Sequence, residues 1–209
     1  MTNPYRKNRI GVLMGGLSAE REVSLNTGKG VLAALGKLGY DAVGVDWVAE
    51  SDLGGLLRAA GVEVVWNALH GTFGEDGAVQ GLLECLAIPY TGSGVLASAV
   101  GMDKIMSKRL FDEQDVPTPE WRAPRPGDDV AALARALGFP VVVKPSREGS
   151  TVGITIVERP EDLAAAVVAA ARCHGDLLLE RYVPGRELSV GLLDDEVLGT
   201  VEIRPRRAF

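Results

Sequence analysis

The run Val141–Gly153 (VVVKPSREGSTVG) carries Lys144 to the end of an apolar, β-branched stretch and follows it with small residues at Gly149, Ser150, Thr151 and Gly153. A lysine offers a compact charge to a phosphate, and small residues let backbone N–H groups come close to its oxygens. A grip on polyphosphate and an ordinary hairpin loop with a surface lysine are both open to these residues by themselves. Two further stretches combine glycine with charge or imidazole: GGLSAEREVS over 15–24 and NALHGTFGEDG over 67–77. They make Glu20, Glu22, His70, Glu75 and Asp76 candidates for polar chemistry. Acidic residues also favour the first turn of a helix, by a few tenths to about 1 kcal/mol, and a histidine at a strand end can be a packed, satisfied one. The dinucleotide fingerprint GxGxxG and the phosphate loop GxxxxGK[ST] are both absent.

Elements that could position these residues follow from the hydrophobic pattern. Arg9–Met14, Ala42–Val45, Val62–Trp66 and Ile88–Tyr90 read as strands. Between them, a first helix has Ser24 as a candidate N-cap, Gly39 as C′, and Val31, Leu32, Leu35 and Leu38 along one face. Leu53–Ala60, Gly77–Leu86 and Leu96–Gln114 read as further helices. Strands alternating with helices imply a parallel sheet whose ligands sit at the carboxyl ends of the strands, where both glycine-rich loops fall. Four prolines within Val116–Asp129 mark a linker or surface crossing. Beyond it come a helix Asp129–Leu137 closed by Gly138, a strand from Val141, and a strand Ile154–Val157. A helix Glu161–Ala171 with Pro160 near N1 and a strand Leu177–Glu180 follow. Glu187–Leu193 and Val197–Ile203 then form a hairpin around Asp194-Asp195. The second half therefore reads as α+β with antiparallel pairing.

Composition narrows the partners. At 209 residues, 46% hydrophobic and with a net charge of −6, the chain has ample material for a core and no basic stripe for nucleic acid. Its apolar runs are all shorter than the ~20 residues of a membrane span, and Ile10–Met14 is too short for a signal h-region. Cys85 and Cys173, without a CxxC pattern, read as small buried hydrophobes of a reducing compartment. The expected setting is the cytoplasm.

GGLSAEREVS, NALHGTFGEDG, PYTGSG, GMDK, VVVKPSREGSTVG and LLLERYVPGREL occur in this order, and together they resemble the D-alanine–D-alanine ligase family of the ATP-grasp superfamily. The resemblance runs from Ile10 to Phe209. It implies an N-terminal α/β, parallel-sheet (pre-ATP-grasp) domain at 1–101, a central ATP-grasp subdomain at 102–183, and the start of a C-terminal ATP-grasp subdomain at 184–209, incomplete at its C-terminus. The activity it implies is ATP-dependent joining of two D-alanines through an acyl phosphate, for peptidoglycan precursors. ATP and Mg²⁺ or Mn²⁺ are the implied cofactors, and a homodimer the implied assembly.

By the same resemblance, Lys104 and Lys144 face the ATP phosphates, and Glu148, Gly149, Ser150, Thr151 and Val152 belong to a flap over the triphosphate. Ser150 would bond Glu20, Glu20 would hold the ammonium of the first D-alanine, and His70 would line the reaction centre. Glu180, Arg181, Tyr182 and Val183 match an adenine-binding hinge, and Glu187 the residue on the ribose hydroxyls. Thr151 stands where many relatives have a second serine, and Tyr182 keeps a flat ring in the hinge. Family members continue past Phe209 into the segment with the metal ligands, so no metal ligand is expected within this sequence, and the chain alone is expected to be catalytically inert. A D-lactate- or D-serine-using ligase and a non-catalytic nucleotide-binding or dimerisation fragment are the competing readings.

Overall fold

A computed structural model describes residues 4–149, 152–173 and 175–204. The chain divides into two compact units, Met1–Leu110 with Arg147–Ser150, and Phe111–Ser146 with Thr151–Phe209.

In the first unit, β1 (Ile10–Gly15), β2 (Ala42–Trp47) and β3 (Val64–Asn67) form a parallel sheet in the order β2-β1-β3. Alternation along β1 explains its burial on both faces. Ile10 and Val12 point to α1 (Arg21–Lys37) and pack with Leu35. Leu13 points the other way, with Val45 and Val65, into a core closed by α2 (Leu53–Ala59) and α3 (Ala78–Cys85). Gly39 is the C′ residue of α1 at φ +74°, a left-handed position that suits a residue without Cβ. Leu38, expected on the buried face, is instead 63% exposed at the C-cap.

Three local expectations change. Helix α1 begins at Arg21, and Ser24 is buried inside it and not at its cap. The segment 88–90 makes a single parallel bridge, Tyr90 to Val65, and not a strand. The long helix expected over Leu96–Gln114 is broken at Asp103 into α4 (Val95–Met102) and α5 (Lys104–Glu113). Asp103 is extended at φ −92° and ψ 99°, and its Oδ1 accepts from the N–H groups of Ile105 and Met106. An aspartate that bonds the amides ahead of it ends one helix and caps the next.

The second unit has a four-stranded sheet in the order β4-β7-β5-β6, all antiparallel, from β4 (Trp121–Arg122), β5 (Val141–Pro145), β6 (Thr155–Val157) and β7 (Leu177–Arg181). The two-residue β4 lies inside the proline-rich stretch read as a linker. Val141 and Val143 of β5 pack with Leu179 and Val157 beneath α6 (Val130–Leu137) and α7 (Leu163–Ala170). Asp129 caps α6 by accepting from the Ala132 N–H at 3.0 Å. Pro160 opens a 3-10 turn, Pro160–Asp162, that leads into α7. A separate hairpin of β8 (Glu187–Leu193) and β9 (Glu196–Ile203) turns at Asp194, with both strands largely exposed. Neither cysteine is the buried hydrophobe expected: Cys85 is exposed at the end of α3, and Cys173 is half-buried.

Candidate active site

In the first unit, the loops that leave β1 and β3 are laced together by hydroxyl groups. Ser18 Oγ accepts the Glu20 N–H at 3.1 Å and donates to the His70 carbonyl at 2.7 Å. Ser24 Oγ accepts from the Gly15 N–H at 2.9 Å and donates to the Ala68 carbonyl at 2.7 Å. Thr27 Oγ1 lies 3.2 Å from His70 Nε2, and Glu75 Oε2 takes the Gly71 N–H at 2.6 Å. Glu20 and His70 thus sit on loops whose backbones are fixed to one another at the carboxyl end of the sheet. Two glycines leave room for the Glu20 carboxylate, and Gly71 is also held to glycine by its backbone conformation. A Cβ on Gly71, at φ +68°, would come within 2.8 Å of Glu20 Oε2, and one on Gly149 within 3.2 Å.

The same loop segment meets Lys104. The Lys104 ammonium donates to the Glu148 carbonyl at 2.5 Å. Burial holds this lysine below its ordinary pKa, while the carboxylates of Glu148 and Asp103 pull it back up. Its position at the first turn of α5 also opposes the helix dipole. With Gly149, it walls a cavity of about 660 Å³, so an anion can reach the ammonium. Its charge is thus carried against both burial and the helix dipole.

Lys104→Met should therefore leave thermal stability unchanged or slightly raised at neutral pH. A lowered folded-state pKa means the charged lysine costs stability there, and the cost is relieved only as pH rises toward the ordinary value of 10.5. Melting curves of wild type and variant from pH 7 to 10 check this. A variant clearly less stable at pH 7 would show that the fold needs the charge.

In the second unit, Lys144 and Glu180 are brought together. Strand register sets Val142 opposite Glu180 and Lys144 opposite Leu178, which places the two charges diagonally on one face, away from the core that Val141 and Val143 enter. The Lys144 ammonium is ion-paired with the Glu180 carboxylate, and their side chains are only 17% and 9% exposed. Arg181 pairs with Glu120, and its N–H bonds the Glu120 carbonyl at 2.8 Å. The Tyr182 N–H goes to the Pro140 carbonyl at 3.2 Å. Val183 is 62% exposed. Val152 is also exposed, and Glu187 opens β8 on the solvent-exposed hairpin. Ser150 and Thr151 lie outside the described residues. Among the described residues no three acidic, imidazole or thiolate side chains converge as a metal ion would need. The magnesium implied by the resemblance has no donor set among them. No helix among them is long and apolar enough to cross a membrane.

Ser18, Ser24, Thr27, Asp103 and Arg147 escaped the reading of the sequence as site residues. All five fall in or beside the quoted motifs, but their roles depend on partners distant in the chain.

Family models match two stretches: "D-ala D-ala ligase N-terminus" over residues 49–93 and "D-ala D-ala ligase C-terminus" over residues 110–209. The chain is 51% identical over 204 residues to a D-alanine–D-alanine ligase of Geobacter sulfurreducens, covering 98% of this chain and 64% of that protein. It is 52% identical to the ligase of Citrifermentans bemidjiense, with 98% and 65% coverage. The crystal structure of D-alanine–D-alanine ligase from Bacillus anthracis matches with a TM-score of 0.85 and 36% identity, over 94% of this chain and 64% of that one. The same enzyme complexed with ATP gives 0.82 and 33%, over 97% and 68%. The chain thus spans about two thirds of the length of these relatives. With matches at this level over nearly its whole length, this chain belongs to the D-alanine–D-alanine ligase family.

Proposed function

We propose that this sequence works in a ligase that joins two D-alanines at the expense of ATP. The γ-phosphoryl group passes to the carboxylate of the first D-alanine, the amine of the second attacks the acyl phosphate, and phosphate leaves. The supporting observation is that one short segment, Glu148–Gly149, accepts a hydrogen bond from Lys104 and lies close enough to the Glu20 carboxylate that a Cβ on Gly149 would meet it at 3.2 Å. A phosphate at Lys104 and an amino acid at Glu20 are then neighbours, as phosphoryl transfer between them demands. Lys104 and Lys144 hold phosphate oxygens, assisted by the flap residues Glu148, Gly149, Ser150, Thr151 and Val152. Glu20 takes the ammonium of the first D-alanine in a charge-assisted bond and Ser150 orients it. His70 lines the centre. Glu180, Arg181, Tyr182 and Val183 receive the adenine, and Glu187 the ribose.

ATP as substrate sets the work in the cytoplasm. A homodimer has exposed apolar side chains of α4, such as Leu96, to draw on. Every relative described above carries the D-alanine–D-alanine name, which favours D-alanine over D-lactate or D-serine as the second substrate.

The test is a division of labour in the complete ligase. Glu20→Gln should raise the KM for D-alanine at least about tenfold, the loss of one charge-assisted bond, and leave the KM for ATP nearly unchanged. An equal loss of ATP affinity in Glu20→Gln would contradict the assignment of Glu20 to the amino acid.

A further inference from the structure

Asp103 and Arg147 meet in the first unit, and neither has a part in the substrate contacts above. One oxygen of Asp103, Oδ1, caps α5 through the Ile105 and Met106 amides, both at 3.1 Å. The other, Oδ2, accepts from Arg147 Nε at 3.0 Å and lies 3.0 Å from Arg147 Nη2. The aspartate side chain is 14% exposed, so the pair is sheltered from solvent on its acidic side. Immediately beside it, Lys104 reaches the Glu148 carbonyl. Two consecutive residues, 103 and 104, therefore hold two consecutive residues, 147 and 148.

We propose that Asp103 and Arg147 form a strut that fixes the 147–149 segment to the start of α5, keeping Gly149 and the Lys104 ammonium in register for a phosphate. The proposal rests on the nucleotide reading given above. Asp103 is a positioning residue: it touches no substrate and acts through Lys104 and Arg147. A lysine stem is flexible, and fixing one at a helix N-terminus runs against both its rotamer entropy and the dipole. A carboxylate at the cap offsets the second, and a loop carbonyl anchored by its own neighbour offsets the first. The planar Arg147 fork supplies direction that a lysine in its place would lack.

Asp103→Asn separates the two duties of this side chain. Asparagine caps a helix about as well as aspartate, so the fold of α5 is retained while the charge on Oδ2 is lost. In the 209-residue chain, the melting temperature should stay within about 2 °C. Tryptic cleavage after Arg147, followed by mass spectrometry, should accelerate roughly threefold to fivefold, the population change that losing a sheltered ion pair allows. The Kd for ATP by titration calorimetry should rise by a similar factor. Arg147→Lys keeps the charge and the tryptic site without the fork, and should fall between wild type and Asp103→Asn. The double variant should be no worse than Asp103→Asn alone, as expected for two halves of one contact.

Wild-type cleavage and wild-type ATP affinity in Asp103→Asn would overturn the strut. So would faster cleavage with unchanged affinity, since the contact would then serve the fold only. A wild-type chain that binds no ATP, with cleavage still accelerated in Asp103→Asn, would refute the nucleotide reading and leave the strut standing without its ligand.

Discussion

Lys144→Met lowers the stability of the second unit by about 3 kcal/mol, the usual cost of removing one partner from a buried ion pair. For a unit of this size, that is a fall in melting temperature on the order of 10–20 °C. The reason lies in what is left behind. Glu180 is 7% exposed on β7, between β4 and β5, and its backbone is committed to the sheet. Without the ammonium, the carboxylate loses its ion partner in a largely buried position. Replacing both residues with apolar ones, as in Lys144→Met with Glu180→Leu, should recover most of the loss, because a packed apolar pair avoids the desolvation that the ion pair must overcome. Nucleotide binding should not return with it. A lysine and a glutamate proposed for opposite ends of ATP thus hold each other, and ATP must draw each toward its own group. Thermal melts of the single and double variants decide this. If both melt alike, Glu180 is not the source of the instability.

How much of this was visible beforehand depended on the range of the interaction. The apolar, β-branched run of VVVKP announced a buried strand that ends in Lys144, and β5 is that strand. Glu20 and His70 were found by the rule that α/β sheets carry their sites at the carboxyl ends of strands, and both stand there. Ser24 was misread. A serine ahead of an apolar run looks like a cap, but its hydroxyl bonds Ala68, forty-four positions away, and no local pattern reports that. The helix over 96–114 looked continuous because its apolar period survives the break. The residue that breaks it, Asp103, is a poor mid-helix choice whose carboxylate competes for backbone amides. Likewise, the pairing of Lys144 with Glu180 required the strand register, which two separate apolar runs do not specify. Even β4 was hidden, since two residues among prolines leave no periodicity to read.

Ser24→Ala should be the most damaging small substitution in the first unit, costing about 3 kcal/mol. The side chain is fully buried, and its one hydroxyl both accepts from the Gly15 N–H and donates to the Ala68 carbonyl. Removing it strands two buried backbone groups at once, each worth about 1–3 kcal/mol when left without a partner. Water cannot readily replace it, because the vacated volume is smaller than a water molecule needs. Ser107 gives the comparison: its hydroxyl also donates to a backbone carbonyl, that of Val100 at 2.7 Å, but the residue is only partly buried. Ser107→Ala should cost under about 1 kcal/mol. The functional effect should follow the same logic. Gly15 and Ala68 lead into the loops that carry Glu20 and His70, and Ser24 bridges them at the base of those loops. In the complete ligase, Ser24→Ala should raise the KM for D-alanine more than that for ATP, because the Glu20 loop is loosened while Lys104 keeps its anchor on Glu148. Urea unfolding of both serine variants, with the two KM values, checks the claim. Equal midpoints for Ser24→Ala and Ser107→Ala would mean that the buried bridge carries no special weight.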